Sequence, residues 1–327
     1  MIPPFLRRLA LALLLGLALV AGAAADPFEV ATYADLCKVG TGADGWTLDA
    51  DYIQTADIQC PAGVSFTPIG FSDLFTGSYD GRGYVIRDLY IDMPDSWNVG
   101  LFGMVEGEAV ITNVTLEDIS ITADGEVGGL VGWLGYGGVV IENCTVSGTI
   151  SGSNECVGGL IGYAKSATIT DCHADVEILG EVIGDHGGLI GMLDTGSVFN
   201  CSATGNVIGG GSATGGLVGL GHKATVARCY ASGNVSGPKY VGGLIGYYEP
   251  RAECSLEDCY ATGNVVFSGS ITDYCSAGGL IGLWDQYHLV LDGHIKNVYS
   301  AGSVSAPNLP AEAVGGLIGQ IDCGTGV

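Results

Sequence analysis

Down most of the chain, apolar or small residues alternate with polar ones. Cys201, Ala203, Gly205 and Val207 stand at every second position, and Cys229, Ala231, Gly233 and Val235 repeat the pattern one period later. A period of two predicts strands with one face buried. The parity breaks once in each period: Ile169 and Cys172 are both apolar but three apart, with Asp171 between them. A break of this kind marks a bend, and Asn or Asp tolerates the backbone that a bend requires. Ile141-Glu142-Asn143-Cys144 and Leu256-Glu257-Asp258-Cys259 show the same break. No stretch has helical periodicity long enough for a βα unit.

A glycine-rich pentapeptide keeps step with the strands. It reads VGLFG at 99–103, GGLVG at 128–132 and 215–219, and GGLIG at 158–162, 187–191, 242–246, 278–282 and 315–319. The closing glycines, from Gly103 to Gly319, recur every 27 to 37 residues. Chance does not produce such a series, so the chain is a repeat architecture. One coil of this length cannot bury its own inner face, whereas parallel stacking buries the inward columns and pairs the backbone of each coil with its neighbours. Propeller blades need about 40–50 residues each and fit less well. The expected fold is therefore all-β: a right-handed parallel β-helix or solenoid of about eight coils, on the order of 40 Å long at about 4.8 Å per coil. Coils occupy 98–327, and 26–97 form an N-terminal capping segment.

The repeated Gly-Leu-hydrophobic-Gly element resembles the GLUG-motif family, over the stretch from Val99 to Val327. Upstream, Phe66, Pro68-Ile69-Gly70, Phe75-Thr76-Gly77 and Tyr79-Asp80-Gly81 resemble the segment that commonly precedes GLUG arrays. The resemblance implies a repeat region of a secreted or surface-displayed protein, such as an adhesin-like protein or the non-catalytic part of some IgA-cleaving metalloproteases. It implies no chemistry, since such repeats carry none that is known. The chain has no H-E-x-x-H zinc site, so the resemblance does not extend to protease activity. It also stops eight residues past the last motif, with no sorting signal or anchor, as an accessory stalk of a larger surface protein would.

Composition narrows the function. Of 327 residues 56 are glycine, and 35 acids face only 11 Lys and Arg, a formal net charge of −24. Scarce cations exclude a nucleic-acid partner, which needs phosphates neutralised. The hydrophobic share of 47% excludes wholesale disorder. Residues 1–25 read as an export signal: Arg7 and Arg8, an apolar run, then Ala23, Ala24 and Ala25 before Asp26. Export implies a secreted or cell-surface protein, touching the membrane only through that segment if it stays uncleaved.

Of the 11 cysteines, Cys144, Cys172, Cys201, Cys229 and Cys259 share one slot of the repeat with Val114 and Val298. A slot shared with Val is small, apolar and inward, so these read as a structural ladder of buried thiols. Outside that column, in an exported chain, Cys37 with Cys60 and Cys254 with Cys275 are disulfide candidates; Cys156 and Cys323 remain. Sequons at Asn113, Asn143, Asn200 and Asn234 are glycosylation candidates, the first three also readable as a structural column at the bend.

No catalytic, cofactor or metal residue emerges, and none of these is expected. Enzymes acting on acidic polysaccharides need clustered carboxylates and cations to hold the sugar, and the cations are scarce. Gly221-His222-Lys223 falls in a variable linker filled elsewhere by Ala164-Lys165-Ser166 or Asp194-Thr195-Gly196, while Asp185-His186 and Asp171-Cys172-His173 read as solvated loop or edge residues. One outward feature is a binding candidate. Tyr230, Tyr260 and Tyr299 follow the Cys/Val slot on successive strands, forming an aromatic ladder that either stabilises itself or meets a glycan or surface protein. The sequence reading is thus a non-enzymatic exported repeat protein for adhesion, display or envelope structure, contacting host or neighbouring-cell glycans or surface proteins. A polysaccharide-acting β-helix enzyme is the rival.

Overall fold

The computed structural model of the protein describes residues 26–180, 183–251, 253–270, 274–285 and 294–322. Residues 1–25, which the sequence reads as an export signal, and Cys323 lie outside the described residues. The expected all-β parallel solenoid is what these residues form. Each coil runs through three sheets in turn: Cys156–Gly158, then Ile161–Thr170, then His173–Gly180, with the next coil opening at Asp185–Gly187. Sheet 1 contains Ile161–Thr170, sheet 2 contains His173–Gly180 and sheet 3 contains Cys156–Gly158. Strands of successive coils pair in parallel, in register and one above the other.

The pentapeptide is the corner from sheet 3 into sheet 1, and its glycines are a matter of space. A Cβ on Gly187 would lie 2.0 Å from the carbonyl oxygen of Ile190, in its own corner. On Gly188 it would lie 2.2 Å from the Gly216 carbonyl of the coil above, and on Gly191 2.6 Å from the Gly162 carbonyl of the coil below. The leucine between them points inward: Leu130, Leu160, Leu189, Leu217, Leu244 and Leu280 are all fully buried. The corner from sheet 1 into sheet 2 is the parity break. Asn113, Asn143, Asp171, Asn200, Arg228, Asp258 and Asn297 all have φ between 53° and 55° there. That left-handed conformation suits Asn and Asp and strains longer side chains by about 1–2 kcal/mol. Arg228 is the exception in the column, and its guanidinium lies 6.0 Å from the Phe199 ring, a weak compensation. Arg228→Asn is therefore expected to stabilise the protein by roughly 0.5–1 kcal/mol, read as a higher urea midpoint; a lower midpoint would refute the strain.

Segment 26–97 is built into the same stack. Phe28–Val30, Asp51–Gln54 and Ser78–Asp80 are successive rungs of sheet 1 below Val110–Thr112. Helix α1, Tyr33–Lys38, starts at a capping box in which Thr32 and Asp35 satisfy each other's backbone N–H. Large rings fill these lower coils: Phe75 and Phe102 lie 4.9 Å apart and Tyr79 meets Phe102 at 5.6 Å. Higher up, the core is mostly Cys, Ala, Val, Ile and Leu, with Tyr248, Phe267 and Trp284 as buried rings in the later coils. No helix among the described residues is long and apolar enough to cross a membrane.

Candidate functional site

The outward residues of the sheets form ladders, because parallel in-register stacking places like beside like. On sheet 2, Tyr230, Tyr260 and Tyr299 pair in register. Successive ring centroids lie 5.0 Å apart with planes 4° from parallel. Each ring face is turned to its neighbour, so the ladder presents ring edges and phenol hydroxyls to solvent. Burial and the two flanking tyrosines raise the pKa of Tyr260. Tyr299 is exposed.

Four residues along each strand lies an amide ladder. Asn234 donates its side-chain N–H to Oδ1 of Asn206 at 3.2 Å, and Asn264 donates to Oδ1 of Asn234 at 3.1 Å. The backbone N–H of the upper residue meets the same oxygen each time, at 3.0 and 3.1 Å. Ser303 closes the series on Asn264 at 2.7 Å. The sequon residue Asn234 is thus a rung of this ladder. The other sequons sit at the left-handed corner: Asn143 donates to Asn113 at 2.7 Å, Asn113 to Asp80 at 2.8 Å, and Asn200 to Asp171.

The cysteine column faces the core. Cys144, Cys172, Cys201, Cys229 and Cys259 are at most 1% exposed. The backbone N–H groups of Cys172, Cys201 and Cys229 each point at the sulfur one coil above, at 3.4 Å. Thiol-to-thiol contact and burial push the pKa values of Cys172, Cys201, Cys229 and Cys259 up, keeping them protonated. Cys37, Cys60 and Cys254 are thiols in this structure, and Cys275 is buried. Cys37 and Cys60 both act on the Tyr33 phenol, which burial first and then these thiols push up to about 12.

Sheet 1 carries an ion-pair chain of which the sequence alone marks Lys165, Asp194 and His222, as linker residues, and leaves Glu249 and Arg251 unmarked. Lys165, Asp194, His222 and Glu249 stand in register on four coils. Lys165 Nζ meets Asp194 at 3.0 Å, His222 Nδ1 meets Asp194 at 2.7 Å, and Arg251 meets Glu249 at 2.7 Å. Burial alone would raise Asp194, but hydrogen bonds from His222 and Lys165 bring it below the usual range. The aligned linker positions were the signal that could have found the chain. Each of these carboxylates already faces a cation or imidazole, which leaves neither as an unengaged acid or base.

Asp185-His186 corrects the sequence reading, which placed it in solvent. Asp185–Gly187 is a strand of sheet 3, and His186 is fully buried, in register with Val157 below and Thr214 above. Neither ring nitrogen has a partner at good hydrogen-bond geometry, and the Gly184 backbone nearby only partly offsets the cost of burial. Burial lowers the pKa of His186 to about 4, while burial raises that of Asp185 to about 7. Among the described residues no group of three or more His, Cys, Asp or Glu is arranged to hold a metal.

Fold and ladders together define a parallel β-solenoid with glycine corners and repeating outer faces. Residues 123–151, 153–179 and 237–266 match the GLUG motif family, so the chain carries repeats of that family. Over 168 residues, 47% of this chain, it is 36% identical to halomucin of Haloquadratum walsbyi. Over 133 residues, 38% of this chain, it is 33% identical to a Gly-rich membrane protein of Evansella cellulosilytica. These matches span 2% and 15% of the two relatives' lengths. An IgA1 protease structure is similar in fold, with a TM-score of 0.51 and 18% identity over 88% of this chain and 20% of that one.

Proposed function

We propose that the protein is a non-enzymatic, exported repeat protein that acts at the cell surface in adhesion, display or envelope structure. The observation that carries this reading is the run of like side chains repeated coil by coil on a continuous face, above all Tyr230, Tyr260 and Tyr299. A rigid array of equal, evenly spaced groups suits multivalent contact, where each weak contact raises the effective concentration of the next. The names of the relatives, a halomucin and a Gly-rich membrane protein, support a place at the envelope. A polysaccharide-cleaving enzyme would need an acid and a base free to act on a bound sugar; the ion-paired state of Asp194 and Glu249 weighs against that role.

The test is retention of the purified chain on cells and on immobilised glycans and surface proteins. The double variant Tyr230→Ala, Tyr260→Ala is expected to lose at least tenfold in retention while keeping its β-sheet circular dichroism. Undiminished retention of a folded double variant overturns the role of the tyrosine face.

A further inference from the structure

We propose that the upper part of sheet 2 is a docking face for an extended, uncharged, β-linked polysaccharide lying parallel to the solenoid axis. This rests on the surface-binding reading above and names the ligand class for the same face.

The first observation is charge. The segments 202–208, 230–237, 260–268 and 299–305, which supply this face, contain no charged residue, in a chain whose net charge is −24. One coil below, Asp175 and Glu177 mark the boundary, with Thr204 donating to Asp175 at 2.9 Å. A strip free of charge on so acidic a protein excludes a cationic partner from specific pairing there. The field of the remaining surface repels anionic polymers. Depletion of charge, with Tyr, Asn and Ser in its place, is the composition of a recognition surface.

The second observation is shape. A shallow cavity of about 250 Å³ runs between the amide ladder and a column in which exposed Ile208 and Val266 flank Ser236. Asn206 and Asn234 line one side; Ile208, Ser236 and Val266 line the other; Glu177 stands at its lower end. Ile208 is 48% and Val266 40% exposed, which places apolar surface in water on one wall of the groove. Ile208, Ser236 and Val266 stand in register on successive coils.

The third observation is periodicity. An amide has two N–H groups, and Asn234 and Asn264 each use one on the ladder. One donor per coil is left for a ligand. Ligand donors thus recur at the coil spacing of about 4.8 Å, and the tyrosine hydroxyls at the edge of the same face recur with the 5.0 Å ring spacing. An extended β-linked pyranose chain advances by a similar length per sugar. Its equatorial hydroxyls would meet the amide row and its axial C–H faces the Ile208 and Val266 wall. A coiled α-linked polymer has no such straight repeat.

The experiment measures binding of the 327-residue chain to cello- and chito-oligosaccharides of two to six sugars, with maltohexaose and an oligogalacturonate of equal length as comparators. Affinity is expected to rise at least tenfold from two to six sugars in a β-linked series, with maltohexaose and oligogalacturonate at least tenfold weaker than the hexamer. Ile208→Ser with Val266→Ser is expected to weaken hexamer binding tenfold or more, and Val64→Ser, an exposed apolar residue on the N-terminal segment, to leave it unchanged. Because these three side chains lie on the surface, the variants are expected to fold, which circular dichroism checks. Length-independent binding, equal binding of the oligogalacturonate, or hexamer affinity unmoved by the groove variant overturns the proposal. Should the chain adhere to cells through the tyrosine face yet bind none of these sugars, the ligand class falls and the surface-binding reading stands. Loss of both would remove the surface-binding reading as well.

Discussion

Gly216→Ala is expected to be among the most destabilising single-methyl changes in the protein, lowering stability by more than about 3 kcal/mol. The added Cβ would stand 2.1 Å from the Gly243 carbonyl oxygen and 2.9 Å from the Ala231 Cβ. Neither neighbour is the free end of a flexible side chain, so the coils themselves must part. The hydrogen bonds from Leu217 and Val218 to the Leu244 carbonyl, 2.9 and 3.0 Å, close the gap at that point and would lengthen. In a stacked array each coil is held mainly by its neighbours, so opening one interface weakens the rungs on both sides. Gly316→Ala supplies the contrast. Gly316 occupies the same place in its own pentapeptide, yet a Cβ there meets nothing within 4 Å. Replacing it is expected to be neutral or to add roughly 0.4–1 kcal/mol through the unfolded chain. Denaturant midpoints of the two variants decide: similar midpoints would show that the glycines serve something other than coil contact.

His186→Val is expected to stabilise the protein, and increasingly so toward acid. At neutral pH the gain comes from removing a buried imidazole with no partner at good hydrogen-bond geometry, roughly 1–3 kcal/mol. Val fits the slot, because Val157 and Val241 already occupy it on nearby coils. The pH dependence follows from the sign of the shift. The folded-state pKa of His186 is about 4, below the unfolded value of about 6.5. The unfolded chain therefore takes up the proton first. Stability from this group is whole above about 6.5 and is lost as pH falls from there toward 4, by about 1.4 kcal/mol per unit. At pH 4.5 the valine variant should have gained about a further 2.5 kcal/mol over the native chain. Asp185 works in the opposite sense. Its folded pKa of about 7 lies above the free-carboxyl value of 3.8, so its contribution is whole below about 4 and is lost as pH rises from there to 7. In the native chain the two adjacent groups largely offset each other between pH 4 and 6.5, and His186→Val uncovers the Asp185 dependence. A stability difference between variant and native chain that stays constant from pH 8 to 4.5 would contradict this assignment.

The glycine pentapeptide made the coils legible because it fixes register. Once Gly162 and Gly191 are aligned, the inward Cys172 and Cys201, the bend at Asp171 and the outward Tyr230, Tyr260 and Tyr299 all fall at predictable heights, and the structure places them so. His186 was equally within reach: counted back from GGLIG at 187–191, it takes the slot of Val127, Val157 and Val241. Its polarity suggested solvent, but in a stacked array the column decides burial and the residue must conform. The ion-pair chain was harder to see, because Glu249 and Arg251 stand next to an insertion that breaks the repeat length. The lower coils were illegible for a different reason. They lack the pentapeptide, and rings such as Tyr52, Phe75 and Tyr79 fill their interior in place of small residues.

The most direct test of a non-enzymatic binding rod is one incubation read in two ways. The purified chain is mixed with a panel of neutral and uronic-acid polysaccharides. Retention on the insoluble polymers is measured together with the release of new reducing ends or unsaturated products. The expected result is retention on at least one neutral β-linked polymer with no cleavage of any. Cleavage of any polymer in the panel that persists across independent preparations would contradict the account.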